Sequence, residues 1–110
     1  MNISLFKNKF AIFNYIKVVE LIGYPKNKVF IDDLMKGLQD ANWPFFNELL
    51  KLFKKSYPKE LIITKIDSYL LIADEEEDYM WISGLAILID YLGLDSECFK
   101  NKRILEKRDF

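Results

Sequence analysis

Histidine is absent from this chain of 110 residues. With it goes the side chain best suited to moving a proton near neutral pH, to binding zinc and to activating a serine or cysteine nucleophile. The one cysteine, Cys98, cannot form an internal disulfide, which fits a reducing compartment. Four glycines, at 23, 37, 84 and 93, lie too far apart to make a phosphate-cradling loop, and with three prolines they leave few breakpoints for a many-turned β fold. Long apolar runs are missing as well. The longest of interest, LAILI at 85–89, falls far short of the roughly 18 residues that read as a membrane span. Near the N-terminus Lys7, Asn8, Lys9 and Asn14 interrupt the apolar residues, so no cleavable signal is expected. These absences point away from enzymes and cofactors and toward a cytoplasmic protein.

A hydrophobic share of 51% with 30% charged residues places the chain among folded proteins, and its length fits one domain with a real core. The abundance of Leu, Ile, Lys and Glu favours helices, although Ile, Phe and Tyr would also suit strands, so periodicity decides. Net charge is only -1, yet its distribution is lopsided. Residues 1–60 carry ten lysines against six acids, while 61–110 carry six cations against eleven acids. From Ile66 to Phe99 there is no Lys or Arg at all, and Asp67, Asp74, Glu75, Glu76, Glu77, Asp78, Asp90, Asp95 and Glu97 fall inside. Such a segment repels nucleic-acid phosphates and attracts basic proteins or metal ions.

Apolar residues recur at helical spacing along the whole chain. Phe10, Phe13 and Ile16 mark a first helix over 10–22, with Gly23 as its stop. Phe30, Leu34 and Leu38 predict a second over about 28–40. The stretch LQDANWPFFNELL at 38–50 then forms a corner. Asp40 and Asn42 are suited to cap the next helix, Pro44 suits a first helical turn, and proline pushes Trp43 out of the helical region, so a third helix starts near Trp43. Its stripe is Phe46, Leu49, Leu50 and Phe53. Tyr57-Pro58 opens a fourth helix carrying Ile62, Ile66, Tyr69, Leu70 and Ala73. The acidic run DEEED at 74–78 leads into a fifth carrying Trp81, Leu85, Leu88 and Leu92, with Gly93 as its stop. A polar last helix over about 95–107, capped by Asp95 or Ser96, closes the chain.

Two units emerge, roughly 24–56 and 57–93, each with a Tyr-Pro pair, a helix, an acid and a tryptophan. Residues 1–23 supply a first helix and 94–110 a cap. Helix pairs at such a period are the signature of an α-solenoid, so the expected fold is all-α, a short HEAT-like stack of about five to six helices in one domain, 1–110. Gly23-Tyr24-Pro25, the Leu-x-Asp-x-Asn-Trp-Pro corner at 38–44 and the Asp-x-x-Trp of Asp78 and Trp81 resemble a bacterial family of unknown function with a HEAT-like helical repeat. That resemblance implies a fold and no catalytic residues. Phe45 and Phe46 depart from the small aliphatic pair common after its proline, which bears on local packing.

Few residues invite chemistry. Clustered carboxylates at 74–78 have the right ligand type for calcium or magnesium, but they lack the spacing and glycine of an EF-hand loop, and neighbours in sequence diverge on a helix. A solvated helix start is the expectation there. Asp95 and Glu97 disfavour a thiolate at Cys98. Trp43 and Trp81 are expected to pack rather than stack on a ligand, and Glu106 and Asp109 dilute the basic tail, so no nucleic acid is expected. The leading expectation is a non-catalytic protein-binding module whose acidic face, Asp74, Glu75, Glu76, Glu77 and Asp78 with Asp67 and Asp90, receives a basic partner; a specific version is an immunity-type inhibitor. The alternative is self-assembly through a face carrying Ile12, Tyr15, Phe45 and Phe110. A divalent-metal enzyme is the third reading.

Overall fold

The computed structural model describes residues 9–108, and side chains from residue 11 onward. Among the described residues there are five α-helices and no strand: α1 Lys9–Ile22, α2 Ile31–Lys36, α3 Phe46–Ser56, α4 Lys59–Glu75 and α5 Tyr79–Tyr91. Tighter 3-10 segments precede α2 at Lys26–Phe30 and follow α5 at Ser96–Cys98 and Lys102–Lys107. The fold is therefore all-α. Helix α1 lies on α3, α2 on α4 and α4 on α5, and the last 3-10 segment covers both α4 and α5. The shared core takes Ile12, Ile16 and Val19 from α1, Leu34 and Met35 from α2, Leu49 and Phe53 from α3, Ile66 and Leu70 from α4, and Leu85 and Leu88 from α5. Each such side chain contributes about 1.5–3 kcal/mol by leaving water, against about 0–1 kcal/mol for an exposed ion pair such as Lys51–Glu48, so burial and not charge holds the helices together.

Glycine ends α1 and α5 as the sequence predicts, with φ of +75° at Gly23 and +68° at Gly93. The peptide bond between Tyr24 and Pro25 is cis. Pro25 has helical backbone angles and leads into a 3-10 turn, whereas Pro58 is extended before α4, so the two Tyr-Pro pairs are not structural equivalents. Asn27, which the sequence did not single out, ties this region together. It is fully buried, its Nδ2 donates to the Val19 carbonyl at 3.0 Å, and its own carbonyl accepts from the Tyr57 hydroxyl at 2.8 Å. Replacing Asn27 by alanine leaves the Val19 carbonyl without that donor, and urea unfolding is expected to show a loss of about 1–3 kcal/mol.

Three boundaries differ from the sequence reading. The second helix is split into Lys26–Phe30 and α2, and it tightens at its end into bonds from Gly37 to Leu34 and Leu38 to Met35. At the corner, Asp40 Oδ1 accepts from the Asn42 backbone N–H at 2.8 Å, closing a side-chain turn. Asn42 caps nothing: α3 begins at Phe46, past Pro44, with Phe45 at its cap position and no side-chain capping bond. The last helix is no single helix. Phe99 is extended and buried between the two terminal 3-10 segments, because Asp67 on α4 binds the backbone beside it. Of the residues expected on a self-assembly face, Ile12 and Phe45 are fully buried and Tyr15 packs edge-on against Phe30 at 5.8 Å, so these belong to the interior. Phe110 lies outside the described residues, as does the side chain of Phe10.

Candidate functional site

The acidic run joins α4 to α5, and its backbone assigns each residue a different job. Asp74 and Glu75 form the last turn of α4, Glu76 is its C-cap, and Glu77 has a φ of +53°. The Asp78 N–H reaches back to the Ala73 carbonyl at 2.9 Å and the Glu77 N–H to Asp74 at 3.1 Å. This is the helix-ending pattern whose left-handed position glycine usually fills. Asp78 then caps α5, its Oδ1 accepting from the Trp81 N–H at 3.0 Å. The expectation of a helix start is thus met by Asp78 alone. Asp74 to Glu77 stand instead at the carbonyl end of α4, where the helix dipole is already negative and carboxylates are unfavourable.

The candidate acids divide into those spent on the fold and those left free. Asp67 accepts from the Lys100 N–H at 3.2 Å, the Asn101 N–H at 2.9 Å and Asn101 Nδ2 at 2.9 Å, fastening the C-terminal segment to α4. Asp74 pairs with Lys107 at 2.6 Å, and that hydrogen bond, with the charges of Asp74 and Glu77 nearby, raises the Lys107 ammonium pKa. Asp90 is exposed at the other end of α5, about 18 Å along the helix from Asp78. The structure therefore does not gather all seven acids into one face. Glu75, Glu76 and Glu77 remain exposed at the corner, and among the described residues no ion pair or hydrogen bond holds their carboxylates. Beside them Leu71, Ile72, Tyr79 and Met80 are each 38–47% exposed. Among the described residues no three Asp, Glu, Cys or His side chains gather as a metal site needs.

The corner residues separate in the same way. Trp81 is buried on α5, and its Nε1 donates to the Met35 carbonyl at 3.0 Å, joining α5 to α2. Trp43 stays half-buried in the loop before α3, stacked on Phe45 at 5.3 Å. A groove of about 360 Å³ runs between α4 and the C-terminal segment, lined by Thr64, Asp67, Ser68, Cys98, Lys100 and Asn101 among others. Its hydroxyls are turned to their own helix, Thr64 to the Glu60 carbonyl and Ser68 to Thr64, and Asp67 is committed as above. Cys98 is exposed there.

One partly exposed charge network, Asp32 with Lys65 and Tyr69, leaves no pattern in the sequence. Partial burial pushes Asp32 up, but hydrogen bonds from Lys65 at 2.9 Å and Tyr69 at 3.1 Å, with the charges of Lys65 and Lys36, bring it below the ordinary carboxylate value. Burial lifts Tyr69 to about 12, aided by that same bond, and lifts Tyr15 to about 12; it also raises Tyr57. The folded state thus keeps these phenols neutral. Their contribution is full below the ordinary tyrosine value of about 10 and is lost as pH rises through the raised values. Alkaline titration is expected to convert these tyrosines and melt the helices in one step, read by tyrosinate absorbance and circular dichroism together.

An all-α protein with one apolar core and an exposed acidic corner is the class that the described residues define. The chain belongs to the family described as domain of unknown function (DUF5071), whose model matches residues 5–107. No curated protein and no solved structure matches it. No helix of the described residues is long and apolar enough to cross a membrane.

Proposed function

We propose that the chain is a non-catalytic protein-binding module that receives a basic partner at the α4–α5 corner. The observation that carries this reading is the placement of Glu75, Glu76 and Glu77: exposed carboxylates crowd the negative end of α4, one of them in a left-handed conformation, beside four half-exposed apolar side chains. A left-handed residue other than glycine costs about 1–2 kcal/mol and each misplaced carboxylate about 0.3–1 kcal/mol, so the fold alone gives no reason for this sequence. A basic partner does, since it neutralises the charge, while apolar contact supplies affinity. The scaffold reading is a short HEAT-like solenoid, supported by the alternation of α1 on α3 and α2 on α4. Its finer version, an immunity-type inhibitor in the bacterial cytoplasm, draws support from small size, charge asymmetry and the lack of histidine.

The test is the triple variant Glu75→Lys, Glu76→Lys, Glu77→Lys used beside the wild type to capture partners from lysate. The variant is expected to lose the wild-type partner by tenfold or more in affinity, while its melting temperature holds or rises, because three unfavourable charges leave the helix end. Undiminished capture by a folded variant contradicts the reading.

A further inference from the structure

A second exposed apolar surface lies on α1 and the turn that follows. Leu21 is 85% exposed and Val29 76%, with Val18 at 53% and Ile22 at 39%. At about 100° per residue, Val18 and Leu21 fall on the side of α1 turned away from the buried Ile12, Ile16 and Val19, and Ile22 lies on the flank beside Val18. Lys17, Lys26 and Lys28 stand exposed among them, and no described residue pairs with their ammonium groups. The nearby acid on the helix, Glu20, is itself engaged by Lys55 at 3.6 Å. This surface is the counterpart of the acidic corner: four exposed apolar side chains with three exposed cations, against four with three exposed anions.

We propose that the partner of the acidic corner is a second copy of this chain, whose α1 outer face and Lys26–Val29 segment dock on Glu75–Glu77, Leu71, Ile72, Tyr79 and Met80. The proposal rests on the corner reading given under Proposed function. Charge complementarity selects the pairing, because two acidic corners repel and two basic faces repel. The two surfaces are different parts of one chain, so the contact is head-to-tail and either closes into a ring or propagates. An anionic bilayer would satisfy the same lysines but would leave the apolar side chains of the corner uncovered, which favours the protein partner.

Sedimentation velocity of the full chain over a range of concentrations tests this. The wild type is expected to grow beyond a single 13.1 kDa species with concentration and to return to it as salt rises from about 0.05 to about 0.5 M. Lys17→Glu, Lys26→Glu, Lys28→Glu in one variant and Glu75→Lys, Glu76→Lys, Glu77→Lys in another should each stay single, and mixing the two should restore association, since each then offers the charge the other lacks. Circular dichroism melts confirm that both variants are folded. A wild type that stays single at every concentration, or a mixture that does not associate, overturns self-docking. If a partner captured from lysate still depends on Glu75–Glu77, the corner reading survives that result. Cosedimentation of single chains with phosphatidylserine vesicles, lost in the lysine variant, would assign the α1 face to lipid and likewise overturn the proposal.

Discussion

Gly84→Ala is expected to destabilise the protein by about 3 kcal/mol or more, reversing the usual sign of this substitution. In most helix interiors alanine improves on glycine by about 0.5–1 kcal/mol, because glycine gives up more backbone freedom on folding. Here a Cβ at Gly84 would stand 1.9 Å from the Leu38 carbonyl oxygen and 3.0 Å from its carbon. Both are backbone atoms, so no rotamer change relieves the clash. Either α5 or the end of the second helix must move, and both are fixed by the core through Leu85, Leu88, Leu34 and Met35. At this chain length each kcal/mol lowers the melting temperature by about 4–8 °C, so thermal circular dichroism should show a fall of at least about 12 °C. A variant as stable as the wild type would mean that α5 does not approach Leu38 so closely.

The second large effect separates two residues that the sequence presents as equivalents. Trp81→Ala is expected to cost about 3–5 kcal/mol, since it empties a buried site against Tyr69, whose ring centre lies 5.5 Å away, and removes the donor to Met35. Trp81→Phe keeps much of the packing and loses the indole bond, at about 1–2 kcal/mol. Trp43→Ala should cost less than Trp81→Ala, because its ring is half-buried in a loop, stacked on Phe45, whereas Trp81 is buried. Chemical unfolding of the three variants gives the order directly. Equal losses at Trp43 and Trp81 would contradict their placement.

The stripes on α4 and α5 were legible because burial in helices repeats every three to four residues: Ile62, Ile66, Tyr69, Leu70 and Ala73 are buried, and so are Trp81, Leu85, Leu88 and Leu92. Gly23 and Gly93 were legible as stops because a left-handed residue is a local requirement. Asp67 was read as a surface acid because its partners, Lys100 and Asn101, lie 33 and 34 residues away and leave no local pattern. Gly84 looked like one of four scattered glycines because the carbonyl it meets, at Leu38, is equally remote in sequence. The acidic run misled for a different reason. Carboxylates usually gather at helix starts, and only the left-handed Glu77 places most of this run at a helix end. Asn27 and Tyr57 are joined by a bond across 30 residues, which no spacing rule foresees.

The α4–α5 corner as a docking surface is the claim on which the functional account turns, and amide hydrogen exchange on the wild-type chain tests it, alone and bound to whatever partner Glu75–Glu77 capture. Slowed exchange over residues 71–80 is expected in the complex, centred on the junction of the two helices. Unchanged exchange there, with protection appearing around Cys98 or Trp43 instead, would contradict it.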